Sequence, residues 1–258
     1  MPSAITPRSQ GALTGLIARV RHCILLGVVT ASLAACGQQA EKPTDSATAP
    51  VSESPPVAQS LAMGGAKSVM TFFVTSRGSG KGGNLGGLTG ADAHCQALAK
   101  AEGAGDHTWR AYLSASAAGD HAAVDARGRI GKGPWYNAEG ELVAANVDEL
   151  HGATSKISKT MAVTERLDTV NGVGDTPNVH DVLTGSRSDG TAFPPGDDLT
   201  CGNWTSSSAG RAQVGHHDRM GRGDNASSWN SAHPTRGCSQ ADLQTTGGDG
   251  RFYCFGID

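Results

Sequence analysis

The chain has 258 residues, 36 of them glycine, with 38% hydrophobic and only 5% aromatic residues and a formal net charge of −3 at pH 7. Its lysines and arginines are scattered among acidic residues and form no stripe, which argues against a nucleic acid or another polyanion as partner. So much glycine and so few aromatics describe a loop-rich fold with a modest core, one that needs further bracing.

The chain opens with Arg8, Arg19 and Arg21, then an apolar run of about ten residues at 24–33, too short to span a bilayer. It closes on Leu33-Ala34-Ala35-Cys36, which resembles a bacterial lipobox. Residues 1–35 are therefore expected to be a lipoprotein signal peptide, with Cys36 lipidated on its thiol as the mature N-terminus, so that acyl chains tether a soluble body to the membrane. Loss of three arginines and no acidic residue takes the formal charge from −3 to −6. Gly37, not aspartate, follows the cysteine, which in lipoproteins of this kind implies the outer membrane. Residues 36–67, with Pro43, Pro50, Pro55 and Pro56 and no apolar periodicity, form a flexible linker with a reach of about 30 Å.

Residues 68–258 are read as one domain. Residues 69–76 are β-branched and aromatic and predict a first strand, followed by a glycine-rich loop at 78–87. Thr89 to Asp92 fits a capping box, and Ala91, Cys95, Leu98 and Ala99 recur at helical spacing before Gly103, which puts Cys95 on the buried face of a helix. Trp109, Ala111 and Leu113 then alternate with Arg110, Tyr112 and Ser114, as in a strand buried on one side. Short strands are expected at 135–137, 141–144, 161–165, 201–204, 212–216 and 252–255, with a small helix at 146–150. Residues 168–198 carry mostly turn chemistry, including Asn171-Gly172 and Asp189-Gly190.

Cys23 and Cys36 belong to the export segment, leaving Cys95, Cys201, Cys238 and Cys254, an even number in an oxidising compartment. Four cysteines allow three pairings, and no CxxC spacing supports a zinc site instead. His216, His217 and His233 beside Asp218 bring together zinc-type ligands. In a strand, His216 and His217 point to opposite faces, so at most one of them can join His233. Asp197, Asp198, Asp218, Asp224 and Asn225 could supply oxygens to calcium. Gly78-Ser79-Gly80-Lys81 lacks the flanking residues of a phosphate loop, and no serine sits in a Gly-x-Ser-x-Gly elbow.

A strand, a helix carrying the first cysteine, a long loop region and a last strand carrying the final cysteine together resemble the C-type lectin fold. Trp109-Arg110-Ala111-Tyr112-Leu113-Ser114, Arg127-Gly128-Arg129-Ile130, Leu183-Thr184-Gly185-Ser186, Cys201-Gly202-Asn203-Trp204 and Phe252-Tyr253-Cys254-Phe255 are similar to segments of the endostatin domain of vertebrate collagens. The resemblance implies an α+β, C-type lectin-like (endostatin-like) domain with two nested disulfides, Cys95 to Cys254 and Cys201 to Cys238. It also implies a lectin-like binding module, not an enzyme, recognising carbohydrate or another surface macromolecule. Its ligand loops would lie between about 189 and 233, where Asn203, Trp204, His216, His217, Asp218, Asp224, Asn225, Trp229 and Asn230 are concentrated. The family's calcium triplet departs here, since Trp229-Asn230 is followed by Ser231, so no cofactor is expected and calcium is an alternative only. Endostatin's zinc ligands lie near the start of its domain, and no matching histidine cluster precedes Trp109. Two other readings stay open: a structural or adhesive lipoprotein without a small ligand, and a metal-assisted hydrolase of envelope polymers using His216 or His217 with Asp218 and His233.

Overall fold

The computed structural model describes residues 67–196 and 198–258; the expected signal peptide, Cys36, nearly all of the expected linker, and Asp197 lie outside the described residues. In chain order the elements are β1 (Phe72–Val74), α1 (Gly87–Ala101), β2 (Trp109–Ala111), α2 (Ala126–Arg129), β3 (Trp135–Tyr136), β4 (Leu142–Ala144), α3 (Val147–His151), β5 (Asp181–Leu183), α4 (Cys201–Trp204), β6 (Gln213–His216), β7 (His233–Pro234), α5 (Gln240–Thr246) and β8 (Gly248–Gly256). The fold is α+β. Its main sheet runs β1-β8-β5-β6-β7, with β2 also paired to β8, and β3 and β4 form a separate two-stranded sheet.

The nine residues of β8 hold this sheet together. Its C-terminal half pairs antiparallel with β1 and β2, and its N-terminal half pairs parallel with β5. Strand alternation then sorts the aromatics into two cores. Phe73, Trp109, Leu113, Phe252 and Cys254 pack with α1, while Phe72, Tyr112, Trp135, Tyr253 and Phe255 pack on the other side. The segment from Trp109 is therefore buried on both faces rather than one, because Tyr112 and Ser114 are fully enclosed. The two bridges are Cys95–Cys254, which ties α1 to β8, and Cys201–Cys238.

The expected capping box at Thr89 does not form. α1 starts earlier, behind Gly86 in the left-handed region (φ 77°), and no side chain caps it. Asp92 is engaged elsewhere: its Oδ1 accepts the Ala111 N–H at 2.9 Å, and its carboxylate accepts from Arg110 and Arg129, each at 2.7 Å. The box forms instead at α5, where Ser239 and Asp242 cap each other's backbone.

Three further expectations are corrected. Residues 161–165 make only isolated bridges, Val74 with Thr164 and Val163 with Thr169. The turn-rich span 168–198 contains β5. Residues 201–204 are a single turn wound left-handed rather than a strand, with φ of 50° at Cys201, 62° at Gly202, 53° at Asn203 and 67° at Trp204. Left-handed winding costs about 1–2 kcal/mol per non-glycine residue, so it must be held from outside. Asp198 accepts from the N–H groups of Thr200 and Gly202, the Trp204 indole donates to Ser114 O at 2.8 Å, and the bridge to Cys238 fixes Cys201.

Asp92→Ala should lower stability by about 3 kcal/mol, since it leaves the nearly buried Arg129 without its carboxylate and orphans the Ala111 N–H. Chemical denaturation of the two proteins checks this; a loss under about 1 kcal/mol would show that the Asp92 network is not structural.

Candidate functional site

Strand register brings a set of ionisable side chains to one end of the β5-β6-β7 layer. Asp181 faces His216 across the β5-β6 ladder, and Val214, two residues before His216 and on the same face, faces His233 on β7. His180 precedes Asp181, and its ring stacks on that of His216 with centroids 4.1 Å apart. The outcome is three imidazole Nε2 atoms around one carboxylate oxygen: Asp181 Oδ1 lies 3.3 Å from His180, 3.3 Å from His216 and 3.6 Å from His233. The side chains of Asp181, His216 and His180 are 1%, 2% and 7% exposed, whereas His233 is 34% exposed and forms the open side of the cluster.

The outward nitrogens fix how each ring faces inward. His180 Nδ1 lies 3.1 Å from Asp218 Oδ1, His216 Nδ1 lies 2.8 Å from Ala226 O, and His233 Nδ1 lies 3.1 Å from Pro234 O. Carboxylate and carbonyl oxygens only accept, so each Nδ1 carries the hydrogen, and in the neutral ring each Nε2 turns a lone pair toward Asp181. Neither oxygen of Asp181 accepts a hydrogen bond, and His216 Nε2 has no hydrogen-bond partner either. Buried lone pairs confronting a carboxylate are costly unless a proton or a metal cation lies between them.

A proton competes for the same nitrogen. Burial opposes charge on His216, but the Asp181 carboxylate and the Ala226 carbonyl outweigh it and raise its proton affinity above that of ordinary imidazole. Asp218 is also partly desolvated, yet His180 and the N–H groups of Val173 and Met220 hold its carboxyl well below the usual carboxylate range. His217, just past the end of β6, lies apart from the cluster: its Nε2 is 3.3 Å from Asn171 O, and burial pushes the ring down to about 4, keeping it neutral. Two glycines close over the cluster. A Cβ at Gly221 would sit 3.0 Å from His216 Cε1, and one at Gly247 would sit 3.2 Å from His180 Cδ2.

Of the residues singled out in the sequence, the structure gathers His216, His233 and, through His180, Asp218. Trp204 is fully buried, and Trp229 is 4% exposed, packed against Tyr112 and Tyr253 with ring centroids at 4.9 and 5.3 Å. Asn230 is buried as well: its amide nitrogen donates toward Tyr112 Oη and the carbonyls of Arg187 and Ser188, while its oxygen accepts from Ser228 Oγ. Asn203 bonds the backbone of Ser116 through both ends of its amide. Asp224 and Asn225 are exposed. His180 and Asp181 were missed by sequence reasoning, though an Asp inside the apolar run Val179-His180-Asp181-Val182-Leu183 was a signal: strand interiors seldom accept a carboxylate.

The chain matches no protein-family model and no curated protein.

Asn230→Ala should cost about 2–3 kcal/mol by orphaning buried acceptors, while Asp224→Ala should leave stability within about 0.5 kcal/mol of the parent. Thermal melts of the two variants side by side check this; equal melting temperatures would mean that Asn230 has no structural role.

Proposed function

We propose that this chain is a lipid-anchored envelope protein. A C-type lectin-like, endostatin-like domain stands off the outer membrane on its linker and recognises carbohydrate or another surface macromolecule. The observation that carries this reading is the nested pair of bridges, Cys95–Cys254 and Cys201–Cys238, which is the pairing that the resemblance implies. A structural or adhesive role without a small ligand is the alternative.

Because Trp204 and Trp229 are buried, neither offers a flat aromatic face to a sugar ring. The exposed polar surface next to the Cys201–Cys238 loop is the better place for a ligand. A cleft of about 550 Å³ there is lined by Asp198, Leu199, Gly210, Arg211, Gln213 and Pro234. The Arg211 side chain is exposed and makes no side-chain hydrogen bond or ion pair among the described residues, so its planar donor fork is available to paired hydroxyl or carboxylate oxygens.

Two measurements test the reading. The processed full-length chain, applied to a glycan array with and without a chelator, should bind a defined glycan class, and Arg211→Ala should abolish that signal with the melting temperature unchanged. Absence of binding to any glycan or envelope extract in both conditions would leave the structural role. Separately, Cys36→Ala should block processing or release the protein from membrane fractions; unchanged cleavage and retention would remove the lipid anchor from the proposal.

A further inference from the structure

We infer that His180, Asp181, His216 and His233 form a binding site for one divalent transition-metal ion of the zinc class, held by three Nε2 atoms and one carboxylate oxygen.

Donor chemistry selects the class. Three imidazoles and one carboxylate suit zinc and its neighbours, whereas calcium and magnesium require shells of oxygen. The distances to Asp181 fit a tetrahedron better than a square plane. With metal–ligand bonds of about 2.0–2.1 Å, the edge of a tetrahedron is about 3.3 Å, while a square-planar site would place one nitrogen about 4.1 Å and the other two about 2.9 Å from the oxygen. The separations of 3.3, 3.3 and 3.6 Å from Asp181 Oδ1 match three of the six edges of the tetrahedron; the ligand atoms of His180, Asp181 and His216 already lie within 4.8 Å of one another, and His233 must swing its Nε2 toward the other two rings to complete the set. Loading the site requires the stacked His180 and His216 rings to tilt their Nε2 ends together.

The second layer is also in place. Each ligand histidine is oriented through Nδ1 by an oxygen acceptor, and His180 uses a carboxylate, Asp218, that is itself fixed by two backbone N–H groups. The Asp181 oxygens and His216 Nε2 are buried without a hydrogen-bond partner, so they are donor atoms not already committed within the protein. His233, on the two-residue β7 and a third exposed, is the side from which an ion enters. A metal here would pin the segment between β6 and β7 to β5. The site shares no residue with the cleft at Arg211 and does not depend on what that cleft recognises.

The test uses the processed full-length chain stripped with a chelator, then titrated with zinc by calorimetry and with cobalt(II) by absorption. The four domain cysteines are bridged, so thiolates cannot supply the signal. One equivalent of each metal should bind, cobalt should give the intense visible bands of a tetrahedral site, and zinc should raise the melting temperature. Asp181→Asn and His233→Ala should each weaken binding by about a hundredfold or more, and Asp218→Asn by about tenfold to a hundredfold. His233 sits at the partly exposed edge, so that variant keeps the measurement informative if Asp181→Asn fails to fold. No binding by the folded parent, an octahedral cobalt spectrum, or undiminished binding in His233→Ala would each overturn the inference. Because the probe is the metal alone, its failure would leave the glycan result standing, and failure on the array would leave the metal site standing.

Discussion

Everything in the main sheet depends on β8 having partners along its whole length. One strand of nine residues pairs with β1, β2 and β5, separates the two aromatic cores by alternation, and carries Cys254, whose bridge to Cys95 spans 159 positions. Closing so long a loop stabilises the fold by about 5 kcal/mol in the chain-entropy model, and the shorter Cys201–Cys238 loop contributes about 4. Of the twelve aromatics, seven lie on this strand or on its partners β1 and β2 and the residue just after β2: Phe72, Phe73, Trp109, Tyr112, Phe252, Tyr253 and Phe255. The rest of the domain is loop, and it is ordered by being fastened back to that centre.

The fastening explains how costly local features persist. The left-handed turn at 201–204 is strained, but it lies between a bridge, a buried indole and an Asp198 cap that fix it from three sides. The same holds for Asp181. A carboxylate deep in a sheet without a hydrogen bond would not survive in a mobile element, whereas β5 is held between β8 and β6 and cannot turn the side chain out. Rigid neighbours make an unfavourable arrangement available for ligand chemistry.

Where periodicity was long and apolar, the sequence was legible. α1 and the last strand carry repeated large or small apolar residues, and burial enforces those patterns directly; the segment from Trp109 was legible as a strand, but not as one buried on both faces. Legibility failed where one residue type serves two uses. Asp92 has the spacing of a cap, but it is worth more to the fold as the acceptor for Arg110 and Arg129. Cys201 and Trp204 have strand-like side chains, but a disulfide and an indole hydrogen bond dictate their backbone. β5 is three residues long and flanked by turn-formers, too short to show a period. The candidate site was half visible for the same reason: His216 and His233 stand near each other in sequence, whereas Asp181 reaches His216 only through strand register across 35 positions. The argument that separates His216 from His217 needed only alternation, and the two rings do have different partners, Asp181 and Ala226 O for the first and Asn171 O for the second.

The way the sheet ends bears on how such a domain behaves in a crowd. Its outermost strand, β7, has only two residues, and one of them is Pro234, which has no N–H to offer. At the opposite edge, Val74 is met by Val163, and the Thr71 N–H, just before β1, donates to Tyr136 O. Neither margin presents a run of free backbone donors and acceptors long enough to template a strand from another copy. For molecules confined to a membrane plane by acyl chains on a flexible linker, as proposed, collisions with identical neighbours are frequent and include edge-to-edge encounters. Blunted margins let the domain reach high surface density without polymerising edge to edge.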